Sequence, residues 1–151
     1  MGTRALLPNE IELVLAKERV VRVAFFAEGE HFVVPLFYTW AGGVLCGLTT
    51  PGRKLELARR NPRVAFQVDS TATTGPWEWA SVSGWGTWEE VDDPFELAPL
   101  AGEFAARLAD APAWAAQALE ARFAERGMVG WRLAPAELGG RAHGPEEPAE
   151  A

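Results

Sequence analysis

The stretch TTPGRKLELARRNPRVAFQVD, residues 49–69, changes its periodicity halfway along, and that change decides the fold. Its first part, PGRKLELARRNP, is rich in helix formers, with Pro51 and Gly52 at its entry and Asn61-Pro62 closing it. This predicts a single helix of about two or three turns. Its second part, RVAFQVD (63–69), alternates, with Val64, Phe66 and Val68 on one face and Arg63, Ala65 and Gln67 on the other. That is the pattern of a half-buried strand.

Upstream, the text is also β-like. VVRVAFF, a Glu-Gly-Glu turn at 28–30, HFVVPLFYTW, an Ala-Gly-Gly turn at 41–43 and VLCGLTT read as strands joined by two tight antiparallel hairpins. Before them, NEIELVLAKE predicts a short helix capped by Asn9, with Ile11, Val14 and Leu15 on one face. Downstream, STATTGP (70–76) is a polar loop, and WEWASVSGWGTWEEV (77–91) is a long strand. At period two Trp77, Trp79, Ser81, Ser83 and Trp85 share one face, while Ala80, Val82, Gly84 and Gly86 share the other. The small face suits a curved interior, so the tryptophan face looks outward. Residues 92–110 and 111–127 predict two helices, started by Asp92 or Asp93 with Pro94 and by Pro112. Phe104, Leu108, Trp114, Leu119 and Phe123 are expected on their core-facing stripes. MVGWRLAP (128–135) is a last strand. Six antiparallel strands with interposed helices define a small β-barrel in one domain over residues 1–138, followed by a flexible tail over 139–151.

The composition sets limits on function. A chain of 151 residues that is 48% hydrophobic and 23% charged has ample material for one core. Its 14 basic against 21 acidic residues give a net charge of −7, which argues against general nucleic-acid binding. No apolar run reaches a bilayer span and no leader pattern opens the chain, so a soluble cytoplasmic protein is expected. The single Cys46 reads as a small core residue. His31 and His143 read as surface residues, which leaves no hydrolytic triad, and no residues with metal-ligand spacing occur. The acids Glu89, Glu90, Asp92 and Asp93 read as a solvated turn. An enzyme so equipped must take its chemistry from a bound cofactor.

Where a cofactor would bind is suggested by charge. Arg53, Lys54, Arg59, Arg60 and Arg63 place five of the 14 cations within eleven residues, with only Glu56 opposing them. Thr49 and Thr50 add hydroxyls, Gly52 permits close approach, and the helix N-terminus adds unbonded N–H groups and the positive end of a dipole. Cations at a helix start oppose that dipole unless an anion is bound, so Arg53 and Lys54 are the candidates for a compact phosphate. Arg59, Arg60 and Arg63 read as exposed charges that balance nearby acids. Neither GxGxxG nor GxxxxGK[ST] occurs, so the site is not of the Rossmann or Walker kind. Two further features stand out. The outward indoles of Trp77, Trp79 and Trp85 call for a cover, most simply a partner subunit. Pro35 removes a ladder donor and places its strand at an edge or bulge, which frees neighbouring backbone groups.

Taken together, the R-V-A-F-F and V-P-L-F strands, GRK…NPRVAF and the following W-x-S-V-x-G resemble the pyridoxamine 5'-phosphate oxidase-like family of flavin-binding split barrels, over roughly residues 6–92. The resemblance implies a six-stranded antiparallel Greek-key split β-barrel with flanking helices, forming a homodimer with two FMN sites across the interface. By residue, it implies phosphate contacts from Thr49, Thr50, Arg53 and Lys54, and backbone groups of Val34, Pro35, Leu36 and Phe37 along the isoalloxazine. Trp79 and Ser81 would come from the other subunit. In the branch resembling nitroimidazole-resistance proteins a histidine often occupies the third strand, where this chain has Cys46-Gly47-Leu48. The substrate-binding Arg and His of true pyridoxamine-phosphate oxidases find no counterpart in GMVGWRLAPAELGGRAHG, so vitamin B6 oxidation is not expected. The expected activity is flavin-dependent oxidation or reduction of a small organic substrate, with no side chain assigned as acid or base. The alternatives are a deazaflavin, whose anionic tail Arg59 and Arg60 would meet, and a non-catalytic ligand-binding dimer.

Overall fold

The computed structural model describes residues 2–145. In chain order the elements are β1 (Gly2–Ala5), α1 (Pro8–Lys17), β2 (Val20–Ala27), β3 (Glu30–Phe37), β4 (Thr39–Ala41), β5 (Val44–Thr49), α2 (Arg53–Arg60), β6 (Arg63–Asp69), α3 (Thr71–Thr74), β7 (Trp79–Val91), α4 (Pro94–Arg107), α5 (Ala113–Arg126) and β8 (Val129–Gly144). All strand pairs are antiparallel, in the order β3-β2-β6-β7-β8-β5-β4, with β1 on β8. This is a split barrel with helices around it.

Eight strands stand where six were expected. The run 31–40 breaks at Tyr38, which is fully buried, donates its hydroxyl to the Leu15 carbonyl at 2.7 Å and separates β3 from β4. Because β3 and β4 lie at opposite ends of the strand order, this corner carries the chain across the split. The eighth strand, β1, pairs Gly2–Ala5 with Arg141–Gly144. The expected tail therefore needs correction. Residues 139–144 continue β8, with 139–143 paired to β7 and 141–144 to β1, while 146–151 lie outside the described residues.

The barrel interior is filled by the inward face of each strand: Val21, Val23 and Phe25 of β2, Val64, Phe66 and Val68 of β6, Val82 and Trp88 of β7, and Trp131 and Leu133 of β8. Trp88 and Trp131 stack at 4.8 Å, and both indole N–H groups lack a partner among the described residues. Gly84 and Gly86 lie where β7 bends, at a register shift beside Trp85, and a Cβ at Gly84 would sit 1.9 Å from the Glu137 carbonyl oxygen. The alternation therefore reads as expected, and glycine is required there by close approach of β8.

Three helix details differ from expectation. Leu7, not Asn9, caps α1: Pro8 takes the first helical position and the Glu10 carboxylate accepts the Leu7 N–H at 3.0 Å. Residues 71–74 form a short helix rather than an open loop. Trp114 is 73% exposed, so it is not a core residue, while Leu119 and Phe123 pack with Phe104 on a second cluster containing Cys46 and Leu48. Asp93 caps α4 as expected, accepting the Phe95 N–H at 2.8 Å.

Candidate functional site

The two halves of α2 are positioned by different contacts. Gly52 caps the helix and Asn61 ends it. In the second half, Arg59 donates to both Glu90 carboxylate oxygens at 2.7 and 3.1 Å. Arg60 reaches Glu28 at 2.8 Å and Glu30 at 3.6 Å. Just beyond, the Arg63 guanidinium lies 3.8 Å from the Trp85 ring centroid. These cations tie α2 and β6 to neighbouring strands.

In the first half, Arg53 leans over β3, 3.2 Å from Glu30 and 5.7 Å from the Phe32 ring centroid. Lys54 is half-buried and has no hydrogen bond or ion pair among the described residues. Burial, followed by the nearby charges of Arg122 and Arg126, lowers the pKa of its ammonium. The N–H groups of Arg53 and Lys54 donate to no backbone acceptor, since the first helical bonds run from Leu55 and Glu56 to the Gly52 carbonyl. Thr49 and Thr50, at the end of β5, are 6% and 7% exposed, and neither hydroxyl makes a hydrogen bond among the described residues. A Cβ built at Gly52 meets nothing within 4 Å. Partnerless hydroxyls, unbonded N–H groups, an unpaired ammonium and open space beside Gly52 form a donor set suited to a phosphate monoester.

β3 is an edge strand that pairs only with β2, as Pro35 requires. Val34 and Leu36 pack against the core, whereas Pro35 and Phe37 are exposed. The contacts of Arg53 with Glu30 and Phe32 place this edge beside the phosphate-type donors.

Trp79 and Ser81 lie elsewhere. They stand at the start of β7, whose far end carries the Glu90 that holds α2. Nine residues of strand separate Ser81 from Glu90, roughly 30 Å of chain. Within one chain the two groups of predicted residues do not meet. Trp79 instead lines an open groove of about 1080 Å³ with Arg4, Ser70, Thr74, Glu78 and His143. His143 stacks on Trp79 with ring centroids 5.3 Å apart, and its Nδ1–H donates to the Trp77 carbonyl at 2.7 Å. The sequence reading assigned His143 to the tail and missed this contact. Ser81 accepts a bond from Gln67 at 3.1 Å, and Gln67 also donates to Asp69. The outer face of β2, β3, β6 and β7 exposes Phe26 and Val33 around a groove of about 390 Å³ that contains His31 and Trp85, and Phe37 is exposed further along β3.

Other candidates are structural. The Cys46 thiol is buried and its pKa is pushed up to about 11, which keeps it protonated and unreactive. Glu90 binds Arg59, Glu89 faces Arg132 at 3.9 Å, and Asp93 is a cap. Among the described residues no helix is long and apolar enough to cross a membrane.

The architecture is that of the flavin-type split barrels, and comparison with known proteins agrees. The pyridoxamine 5'-phosphate oxidase family model matches residues 8–142, and the chain belongs to that family. A FAD-binding protein from Mesorhizobium loti is similar over 94% of this chain and 99% of its own, at 29% identity and a TM-score of 0.74. The fold is also that of the FAD binding protein from Mycobacterium smegmatis, at 20% identity, a TM-score of 0.61, and 91% and 98% coverage. It is shared by the haem storage protein HutZ from Vibrio cholerae, at 15% identity, a TM-score of 0.71, and 91% and 96% coverage. An uncharacterised protein of Rhizobium meliloti (strain 1021) is 29% identical over 84 residues, which is 56% of each chain, so the match spans about half the length of that curated relative.

Proposed function

We propose that this protein is a flavin-binding homodimer that uses FMN to oxidise or reduce a small organic substrate. One observation carries the reading: the hydroxyls of Thr49 and Thr50 and the half-buried Lys54, all without partners among the described residues, cluster in sequence with the unbonded N–H groups at the start of α2. Together these donors, left without an acceptor, fit a dianionic phosphate.

In this reading Thr49, Thr50, Arg53 and Lys54 hold the ribityl phosphate. The edge backbone of Val34, Pro35, Leu36 and Phe37 lines the ring system. Trp79 and Ser81 belong to the site of the partner subunit, which fits their place on β7, separated from the β3 edge by β2 and β6 within one chain. The exposed apolar face of β2 and β3 gives that dimer something to bury. A bound flavin supplies electron or hydride transfer at its ring. The chain binds it, orients it and screens it from water, and no side chain is assigned a proton-transfer role. The deazaflavin alternative rested on Arg59 and Arg60, which are occupied by Glu90, Glu28 and Glu30.

The test is a visible absorbance spectrum and mass determination of whatever co-purifies, followed by titration of the stripped protein with FMN. Flavin absorbance and saturable binding of one FMN per chain are expected. Absence of both overturns the reading. Reduction by a nicotinamide donor with substrate-dependent reoxidation separates an enzyme from a non-catalytic binding dimer.

A further inference from the structure

The strand register adds a constraint that the site residues alone do not give. In the run β3-β2-β6-β7, Val34, Pro35, Leu36 and Phe37 stand on the first strand and Trp79 and Ser81 on the last, with β2 and β6 between them. The two groups are level. Pro35 pairs with Arg22, Arg22 with Gln67 and Gln67 with Ser83, which forms one row across the four strands. Two residues along, Phe37 pairs with Val20 and Ser81 with Asp69 at the same end of β2 and β6, so Phe37 and Ser81 face each other across three strand spacings, roughly 14 Å.

Two-fold symmetry turns this register into a location. When one spot on a chain meets a different spot on its copy, the axis exchanges the two spots and passes midway between them. For the β3 edge and the start of β7, the midpoint is the seam between β2 and β6. The outward side chains along that seam suit a close approach. Ala24 and Ala65 pair there and floor the groove of about 390 Å³, with Phe26 and Val33 on one wall and Trp85 on the other. Phe26 and Val33 are left exposed in a single chain. Arg22 and Asp69 bridge the same seam at 3.3 Å, so two copies can meet there without bringing an unpaired charge together.

We propose that a second copy of this chain packs on the outer face of β3-β2-β6-β7, with the two-fold axis over the β2–β6 seam. This rests on the homodimer reading and locates its interface. Val33, Ala24, Ala65 and Trp85 form one row across the four strands, so the axis sets Val33 of one copy against the Trp85 side of the groove in the other. An exposed apolar side chain thus fills an open apolar slot, twice over. The same rotation lays the β3 edge of each copy over the start of β7 in the other, which is what a site shared between Phe37 and Ser81 requires.

A residue beside a two-fold axis lies near its own copy, and this gives the test. Cys46 is the one native thiol and is buried, so a cysteine placed on the surface is the group open to a reagent. Ala24→Cys and Ala65→Cys, each treated with a short bis-maleimide, should give covalent dimers by mass. Trp114→Cys, exposed on α5, should give none. Ala65→Arg should weaken dimerisation by about a hundredfold or more in sedimentation and weaken FMN binding with it. A dimer that binds FMN, cross-links at neither alanine and tolerates Ala65→Arg overturns the proposal and leaves the flavin reading standing. Cross-linking at both alanines in a protein that takes up no FMN keeps the interface and removes the flavin reading. A wild-type chain that sediments as a monomer removes the interface and the homodimer together.

Discussion

The two halves of α2 carry the same kind of residue and do opposite things. Arg59 and Arg60 reach out to Glu90 on β7 and Glu28 at the β2–β3 turn, so their charge is neutralised by strands the helix must dock against. One helical turn or more earlier, Lys54 sits half-buried without a partner among the described residues. A run of cations in a sequence is therefore not one feature. Arg53 shares Glu30 with Arg60, so Lys54 is the one cation of α2 left unpaired among the described residues, and it is the charge that points to a ligand.

The largest expected effect tests that division directly. Arg53→Ala with Lys54→Ala should weaken flavin binding about a hundredfold or more, since charged hydrogen bonds contribute roughly 1.5–3 kcal/mol each. Arg59→Ala with Arg60→Ala should change the affinity by less than about threefold and lower the melting temperature instead. Fluorescence titration and thermal melts of both variants decide it, and a larger affinity loss from the second pair would reverse the assignment. Next in size, mixing chains carrying Arg53→Ala/Lys54→Ala with chains carrying Trp79→Ala/Ser81→Ala should restore one site in each mixed dimer. If no binding returns in the mixture, Trp79 and Ser81 do not act across subunits. Smaller again, Thr49→Val and Thr50→Val should each cost about five- to tenfold in flavin affinity with no loss of stability, because neither hydroxyl bonds within the fold. A drop in melting temperature without loss of affinity would mean that the hydroxyls serve the structure.

Sequence periodicity revealed the elements whose side chains set their own burial. The α2 limits follow from Gly52 and Asn61-Pro62, and the inward faces of β6 and β7 follow from strict alternation. The second half of β8 was not legible because its order comes from its neighbours. Gly139, Gly140, Ala142 and Gly144 offer almost no side-chain pattern, yet the backbone is paired with β7 on one side and β1 on the other. Gly140 lies so near Leu6 that a Cβ would come within 2.7 Å of it, a tertiary fact with no local signal. The same omission hid His143 and its stack on Trp79. The grouping of Lys54 with Thr49 and Thr50 was readable from the helix start, because all three lie within six residues of chain.

The smallest expected effect opposes the two halves in sign. Lys54 has a folded pKa below its ordinary value of 10.5, so between the two values the unfolded chain holds a proton that the folded chain has released. Stability from this group rises with pH across that window, is complete above 10.5, and is lost as pH falls through the folded value. At neutral pH the charged lysine therefore costs the cofactor-free protein stability. Lys54→Met, which keeps the apolar stem and removes the charge, should raise the melting temperature slightly at pH 7 and flatten its rise towards pH 10. Arg59→Gln, which breaks a satisfied pair, should lower it. An anion bound at the helix start reverses the penalty, so inorganic phosphate or FMN should move the Lys54 titration, followed by NMR at its Cε, back towards higher pH. If Lys54→Met destabilises the cofactor-free chain as Arg59→Gln does, the two ends of α2 are held by the same kind of interaction and the division between them fails.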